Sequence, residues 1–305
     1  MNIKRVILTT VSMLLILATA CTSEPVEVTE EVIIETSAEK KVIFTEGIEA
    51  QETYPVLPSI TYTVTKPKIE KTSETTTDIV FYRSGQPIYG RITHPQGKGP
   101  FKTIIISHGL YAAFGRYEPQ AKRYSENGYA VIEFEYQNGN PPDSYDDPEY
   151  IGDYILDEIL DLYTVIDSMQ YISYVDTSNI YLYGHSMGGL VAAYVGTYRQ
   201  KEIKGLILVD PSFYATDLMD FEHKKMITTD IYPFLSHCAI PVMIITGTTG
   251  SFGEDPHFFD EARRALPICD YIVIEGASHS FNGEAGLHLV DVSVEKMKEW
   301  EEKYN

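Results

Sequence analysis

The sequence predicts an α/β fold in which helices cover both faces of a mostly parallel sheet. Downstream of Asp78, runs rich in β-branched residues alternate with stretches that carry apolar side chains at helical spacing. The β-branched runs are apolar at successive positions rather than at every second one, which is typical of strands buried on both faces. The length of residues 78–304 suits one domain without internal repeats.

Each element of this fold is indicated by its own pattern. Residues 78–82 and 87–92 flank Ser84 and Gly85, a turn pair that predicts a β-hairpin. Further strands are predicted at residues 103–107, 130–134, 179–183, 205–209, 242–245 and 271–274. Helices are predicted at residues 117–127, 151–169, from 189 onward, 258–265 and 287–303. Residues 211–237 lie between two strands and carry many apolar and aromatic side chains, which predicts a small cap.

The most specific motif is Gly-His-Ser-Met-Gly at residues 184–188, between a predicted strand and a predicted helix. A turn this tight forces its central residue into a strained backbone conformation. Glycines are needed on either side, where a Cβ would collide with the neighbouring strand or helix. This context defines a nucleophile elbow, which presents its serine at the carboxyl edge of the sheet. Ser186 is therefore the candidate nucleophile.

With this elbow, the order of elements resembles the α/β-hydrolase fold, and the resemblance covers the chain downstream of Asp78. A serine hydroxyl is a weak nucleophile. The resemblance therefore implies a histidine that accepts its proton and a carboxylate that orients the histidine, in the chain order serine, acid, histidine. His279 lies just beyond the last predicted strand, where this fold delivers its base. None of the other seven histidines combines that order with that position.

Main-chain donors for the developing oxyanion are expected from two turns. Ser-His-Gly-Leu at residues 107–110 resembles the His-Gly turn that follows the corresponding strand in many α/β-hydrolases. The family geometry implies that the N–H groups of Leu110 and Met187 form the oxyanion hole. His108 is then expected to serve in packing and hydrogen bonding rather than as a base. This turn and the elbow together resemble secreted platelet-activating-factor acetylhydrolases and dienelactone-hydrolase-like serine esterases.

The carboxylate of the site has more than one candidate. Most relatives have an Asp three residues after a glycine at the end of the penultimate strand, but here Gly247 is followed by Gly250 at that position. The acetylhydrolases take their acid from the end of the strand after the elbow, which favours Asp210. Asp255 could reach back from a lengthened loop, and Glu254 is a third candidate. An Asp-Pro pair such as the one at Asp210 also begins turns that have no catalytic role.

The beginning of the chain predicts export. Lys4 and Arg5 precede an apolar run of about thirteen residues, which is shorter than the roughly twenty that a membrane-spanning helix needs. Residues 1–20 are therefore interpreted as a signal peptide. Small residues followed by Cys21 resemble a bacterial lipobox, which implies that Cys21 is acylated; an ordinary cleaved signal is the alternative. The predicted location is the extracytoplasmic face of the cell membrane, with secretion as the alternative.

Three segments are predicted along the chain. Downstream of the signal peptide, residues 21–77 are rich in Glu, Thr, Val and Lys, carry scattered prolines and show no sustained period. Such a segment cannot bury enough apolar surface to offset its ordering entropy, which predicts a flexible acidic tether after the lipidated cysteine. Residues 60–64 alternate well enough to add an edge strand to the body. Residues 78–305 form the predicted hydrolase domain.

Composition and motifs exclude several partners and cofactors. The formal net charge is −20, so the surface repels polyanions and nucleic acid is not an expected partner. The sequence has neither H-E-x-x-H nor a paired C-x-x-C motif, so no metal or organic cofactor is expected. Cys238 and Cys269 precede neighbouring predicted strands, a position that is compatible with a disulfide or with two free thiols.

The combined pattern predicts an extracytoplasmic serine hydrolase that cleaves carboxylic esters through an acyl-enzyme on Ser186. Small-molecule esters are the expected substrates, and the sequence gives no evidence of an obligate protein partner. Two alternatives stay open: a serine peptidase of the prolyl-oligopeptidase kind, and a surface-binding lipoprotein that keeps the fold without turnover. The missing Asp after Gly247 is the feature that favours the binding lipoprotein.

Overall fold

Eleven strands of the described chain join into one mixed sheet. The structure, a computed structural model, describes residues 39–42, 61–110, 112–113, 115–137, 148–213 and 231–304. The strands are β1 (Glu39–Val42), β2 (Thr61–Val64), β3 (Lys68–Lys71), β4 (Thr76–Arg83), β5 (Gln86–Thr93), β6 (Phe101–Ser107), β7 (Ala130–Phe134), β8 (Val175–His185), β9 (Ile203–Val209), β10 (Val242–Thr249) and β11 (Cys269–Ser278). Their order in the sheet is β1-β2-β4-β5-β7-β6-β8-β9-β10-β11, and β3 pairs with β4.

Strands β6 to β11 run parallel to one another. All of β7 and the last five residues of β6 are buried. A strand is buried at successive positions only when both faces of its sheet are covered. Because parallel strands point the same way, the carboxyl ends of β6, β8, β9, β10 and β11 lie along one edge of the sheet.

Helices supply that cover. The helices of the described residues are α1 (Glu118–Glu126), α2 (Pro148–Ser168), α3 (Met187–Tyr198), α4 (Tyr232–Leu235), α5 (Asp260–Ala265) and α6 (Glu284–Tyr304). On β6, Ile104 and Ile106 pack into a cluster with α1 and α6, whereas Ile105 packs into a cluster with α2 and α3. Successive side chains of a strand point to opposite faces, so the two clusters lie on opposite faces of the sheet. The predicted α/β class, with a mostly parallel sheet covered on both faces, is confirmed.

The antiparallel strands begin upstream of the predicted domain boundary. Tyr62 and Val64 on β2 are buried, and the Tyr62 hydroxyl donates a 2.6 Å hydrogen bond to Asp167 on α2. The sheet thus takes in residues upstream of Asp78, where the domain is predicted to begin, because β2 presents alternate apolar side chains to the core. The predicted signal peptide and most of the predicted tether lie outside the described residues.

The predicted hairpin is confirmed between β4 and β5. Arg83 pairs with Gln86 across a two-residue turn. Both turn residues have positive φ, +50° at Ser84 and +82° at Gly85. Turns of this type match the right-handed twist of the strands that they join.

Two further expectations concern the region near β10. Cys238, which is buried, and Cys269 are free thiols in the structure, which favours two free thiols over a disulfide.

Residues 214–230, the middle of the predicted cap, lie outside the described residues. None of the described helices is both long and apolar enough to cross a membrane.

Candidate active site

Ser186 occupies a strained turn between β8 and α3. Its φ is +55° and its ψ is −120°, a region that residues with side chains rarely adopt. The turn is possible because two glycines remove atoms that would collide. A Cβ at Gly184 would lie 2.3 Å from the carbonyl oxygen of Gly188, and a Cβ at Gly188 would lie 2.2 Å from the carbonyl oxygen of Ser107. The turn has the geometry of the predicted nucleophile elbow.

Backbone hydrogen bonds join the elbow to the end of β9 and Asp210, the residue after β9, to β10. The Ser186 N–H donates to the carbonyl of Val209 at 3.0 Å, and the Asp210 N–H donates to the carbonyl of Ile245 at 2.7 Å. Asp210 directly follows β9 and has a φ of +45°. These bonds hold Ser186 and Asp210 at fixed positions on the carboxyl edge of the sheet.

Three side chains from this edge form one series of hydrogen bonds. The Ser186 Oγ lies 3.1 Å from His279 Nε2, and His279 Nδ1 is hydrogen-bonded to Asp210 Oδ2. His279 follows directly after β11. A carboxylate can only accept a hydrogen bond, so Nδ1 carries the proton and Nε2 is left to accept from the Ser186 hydroxyl.

Asp210 is fully buried and has further donors. Thr246 Oγ1 donates to Oδ1 at 2.6 Å, and the Phe252 N–H donates to Oδ2 at 3.2 Å. Burial alone raises the pKa of a carboxyl group, but hydrogen bonds from His279, Thr246 and Ser251 outweigh it and hold the pKa of Asp210 below its ordinary value. The side chain therefore stays ionised at neutral pH and accepts the hydrogen bond from His279 Nδ1.

The other two acid candidates lie away from His279. Asp255 is exposed, and its carboxylate accepts a 2.9 Å hydrogen bond from the N–H of His257. Glu254 is also exposed and accepts a 3.0 Å hydrogen bond from the N–H of Gly250. Of the three carboxylates considered from the sequence, the structure brings only Asp210 into contact with the histidine.

The turn after β6 lies against the elbow, as the oxyanion-hole prediction requires. A Cβ at Gly109 would lie 3.1 Å from the Cβ of Ser186, so the backbone that leads to Leu110 passes beside this serine. Met187 is the first residue of α3, and the first N–H groups of a helix have no partner within the helix. Both main-chain groups belong to the surroundings of Ser186, and their role as oxyanion donors stays a prediction.

His108 is buried and serves in packing, as predicted. Its Nδ1 is hydrogen-bonded to the carbonyl of Gly109 at 2.9 Å, and its ring lies against Tyr136 with centroids 4.5 Å apart. Burial lowers the pKa of His108 to about 4, although the bond to Gly109 opposes this shift. The ring is therefore neutral at pH 7.

Two residues of the site were not among the sequence candidates. The Ser212 Oγ lies 3.1 Å from the Ser186 Oγ, so the Ser186 hydroxyl has a second hydrogen-bond partner beside His279. The ring of Phe252 lies against His279, with centroids 4.9 Å apart. Ser212 follows Asp210 by two residues, so its place near the site could have been inferred from the sequence. The contact of Phe252 with His279 could not, because it depends on how the loop after β10 folds.

The remaining predicted site features concern metals and lipidation. Among the described residues, no group of three or more His, Cys, Asp or Glu side chains is arranged to hold a metal ion. Cys21, the predicted lipidation site, lies outside the described residues.

Comparison with known sequences gives partial matches. A family model described as "Serine aminopeptidase, S33" matches residues 98–239, somewhat less than half of the chain. Human monoglyceride lipase is 29% identical over 131 residues, which make up 43% of this chain and 41% of the lipase. The chain thus matches about two fifths of the length of this relative. The residues matched by the family model include the turn after β6 and the elbow.

Solved structures match over more of the chain. Acetyl xylan esterase from Paenibacillus sp. R4 has a TM-score of 0.56 at 14% identity, covering 87% of this chain and 89% of that chain. Dienelactone hydrolase from Anabaena variabilis has a TM-score of 0.52 at 16% identity, covering 77% of this chain and 98% of that chain. Likeness at such low identity shows the fold and leaves activity to be argued from the site. The chain therefore has the α/β-hydrolase fold, with a serine, a histidine and an aspartate in hydrogen-bonded series at the carboxyl edge of its sheet.

Proposed function

We propose that the protein is a serine hydrolase that cleaves carboxylic esters through an acyl-enzyme. The observation that carries the proposal is the hydrogen-bonded series from Ser186 through His279 to the buried Asp210. These residue types in this order form the catalytic triad of serine hydrolases. A fold alone would not support an activity, but this geometry supplies a nucleophile, a base and an orienting acid.

Each group has a step in the proposed reaction. Ser186 Oγ attacks the ester carbonyl while its proton passes to His279 Nε2, and the ionised Asp210 stabilises the imidazolium that forms. The N–H groups of Leu110 and Met187 would donate to the oxyanion of the tetrahedral intermediate. The imidazolium then gives its proton to the leaving alcohol. Water, deprotonated by the same histidine, attacks the acyl-enzyme and breaks the acyl–Oγ bond. The histidine returns the proton to Ser186 Oγ, which releases the carboxylic acid and restores the free enzyme.

Similar proteins support an ester as the substrate class. Monoglyceride lipase and acetyl xylan esterase are named for ester substrates. The description of the matching family model, a serine aminopeptidase, favours a second candidate, in which the same residues cleave a peptide bond. A surface-binding protein without turnover is the third candidate, and the 3.1 Å contact between Ser186 and His279 argues against it.

The activity is tested with probes that separate these candidates. A fluorophosphonate should label wild-type protein at Ser186, and p-nitrophenyl acetate and butyrate should turn over faster than alanyl- and prolyl-p-nitroanilide. Ser186→Ala should lose labelling and lower kcat by about 10⁴-fold or more, because triad members act as a unit. Ser178→Ala removes the hydroxyl of an exposed serine on the same strand and should retain both properties.

The outcomes point to different functions. Faster turnover of the anilides than of the esters would replace the esterase with an aminopeptidase. Labelling of wild type that survives in Ser186→Ala would remove Ser186 as the nucleophile. Protein that is folded but neither labelled nor active would favour the surface-binding candidate.

The proposed location is the extracytoplasmic face of the cell membrane, through a lipid on Cys21. The support comes from the basic and apolar residues that precede Cys21 and from the small residues beside it.

Substitution of the proposed lipid site tests the location. Cys21→Ala should shift the protein from the detergent phase to the aqueous phase or leave an uncleaved precursor, because the lipid is the proposed anchor. Cys269→Ala is the matched control, since Cys269 lies in the folded body as a free thiol. Equal detergent partitioning of Cys21→Ala and wild type, with the variant cleaved to the mature size, would rule out the anchor.

A further inference from the structure

His185 lies between the turn after β6 and the loop that carries His279. Its Nε2 lies 2.6 Å from the carbonyl oxygen of His279, and its Nδ1 lies 2.9 Å from the hydroxyl of Tyr117. The same hydroxyl accepts a 3.3 Å hydrogen bond from the N–H of Gly109. Four residues from three separate parts of the sheet edge are thus joined by three consecutive hydrogen bonds.

The direction of each bond follows from the chemistry of its partners. A carbonyl oxygen only accepts, so His185 Nε2 carries a proton and donates to His279. Burial lowers the pKa of His185 to about 4, against the opposing effect of that bond, so the ring is neutral and Nδ1 has no proton. Nδ1 therefore accepts from the Tyr117 hydroxyl. That hydroxyl, in turn, accepts from Gly109, and every bond in the series has a donor and an acceptor.

These groups are shielded from water. Tyr117 and His185 are 2% and 5% exposed. The His185 ring also lies against the ring of His279, with centroids 4.9 Å apart. A buried polar group that loses its partner cannot recover the bond from solvent, so removal of one member leaves the next one unsatisfied.

We propose that Tyr117 and His185 are positioning residues, which together hold the Gly109 turn and the His279 backbone in register during catalysis. The proposal rests on the proposed esterase function and deepens it. The Gly109 turn leads to the expected oxyanion donor, and His279 is the expected base, so the series joins the two parts of the site that must converge on one substrate carbonyl. Neither Tyr117 nor His185 touches the reacting atoms.

The expected consequence is a loss in kcat rather than in substrate binding. Without the Tyr117 hydroxyl, the Gly109 N–H and His185 Nδ1 both lack a partner, and the His185 ring is free to turn away from the His279 carbonyl. Small displacements of catalytic groups cost rate steeply, because the reaction depends on close alignment. Tyr117 and His185 are almost fully buried and so cannot bind the substrate directly, which means that KM should change little.

The first test compares two buried tyrosines near the same helix. Tyr117→Phe should lower kcat for p-nitrophenyl butyrate by about ten- to hundredfold with KM within about threefold of wild type. Tyr124→Phe is the matched control, because its buried hydroxyl is hydrogen-bonded to Ser293, away from the site. Tyr124→Phe should keep the wild-type kcat even though it too loses a buried hydroxyl and the hydrogen bond that this hydroxyl makes.

The second test asks whether kcat depends on the N–H group that residue 185 donates to the His279 carbonyl. His185→Gln keeps an N–H that can reach the His279 carbonyl, whereas His185→Leu has a similar volume and no donor. His185→Gln should retain substantially more kcat than His185→Leu. When Tyr117→Phe is added to His185→Leu, kcat should fall little further, because the effects of substitutions within one hydrogen-bonded series are not additive.

The results separate this proposal from the proposed function. An active wild type in which Tyr117→Phe matches Tyr124→Phe in kcat would overturn the positioning role and leave the esterase intact. Additive losses in the double variant, or equal kcat for His185→Gln and His185→Leu, would do the same. A folded wild type that shows neither ester turnover nor labelling of Ser186 by fluorophosphonate would overturn the proposed function and this inference together.

Discussion

At the scale of single residues, strain is concentrated at the proposed active site. Four non-glycine residues among those described have positive φ. Three of them, Ser186, Asp210 and Phe281, lie just after the carboxyl ends of strands β8, β9 and β11. The fourth, Ser84, is a hairpin residue. Strained residues persist only when surrounding contacts hold them, and they are common where a side chain must be aimed at a substrate.

The prediction at this scale concerns the acid. Asp210→Asn should lower kcat by about 10⁴-fold with little change in KM, because an amide cannot hold His279 in the tautomer that accepts the Ser186 proton or stabilise its charged form. Asp255→Asn is the matched control and should lower kcat less than about threefold, since Asp255 is exposed and away from His279. Both values come from steady-state hydrolysis of p-nitrophenyl butyrate. A severe loss in Asp255→Asn beside a mild one in Asp210→Asn would move the acid to the loop after β10.

At the scale of elements, the sequence was most informative where one residue type decides the local geometry. The elbow was predictable because glycine alone fits positions 184 and 188. The choice between Asp210 and Asp255 was not, because a strand end and a lengthened loop can both bring a carboxylate to a histidine. Strand β2 was indicated by the alternation of residues 60–64, whereas β3 was hard to predict because its short, exposed sequence becomes a strand by pairing with β4. The contact of His185 with His279 depends likewise on two separate strand ends.

The packing of the elbow against β6 leads to a prediction about Gly188. Gly188→Ala should reduce the free energy of unfolding by about 3 kcal/mol or more and abolish turnover, because the new Cβ would lie 2.2 Å from backbone atoms that cannot move without disrupting the sheet. The unfolding free energy is obtained by chemical denaturation.

Gly196→Ala provides the control on the same helix. Its Cβ would meet the side chain of Leu206, whose terminal carbon lies 2.3 Å away and can rotate. The alanine also gains about 1 kcal/mol of helix propensity, which offsets part of the cost. Gly196→Ala should therefore be less destabilising than Gly188→Ala and should keep its activity. Equal losses of stability in the two variants would mean that the close approach of the elbow to β6 is not the limiting contact.

At the scale of the whole molecule, burial of ionisable groups links stability to pH. His108 and His185 are buried, and burial lowers the pKa of each to about 4. Asp161 acts in the opposite direction: burial raises its pKa to about 7, although Arg83 opposes the shift. The pH dependence of the wild-type protein sums such opposing contributions, so the effect of one group is measured by comparing a variant with wild type.

The prediction at this scale is that His108→Gln gains stability relative to wild type as the pH falls from about 6.5 to 4.5. In that range the unfolded chain binds a proton at residue 108 and the folded protein does not, so the wild-type histidine weakens folding as the pH falls, by about 1–3 kcal/mol. Glutamine does not titrate. Asp161→Asn should show the reverse trend and gain relative stability as the pH rises toward 7, because the unfolded chain releases its proton first. Denaturation at fixed pH values measures both differences, and a pH-independent difference between His108→Gln and wild type would contradict the burial of a neutral imidazole beside the Gly109 turn.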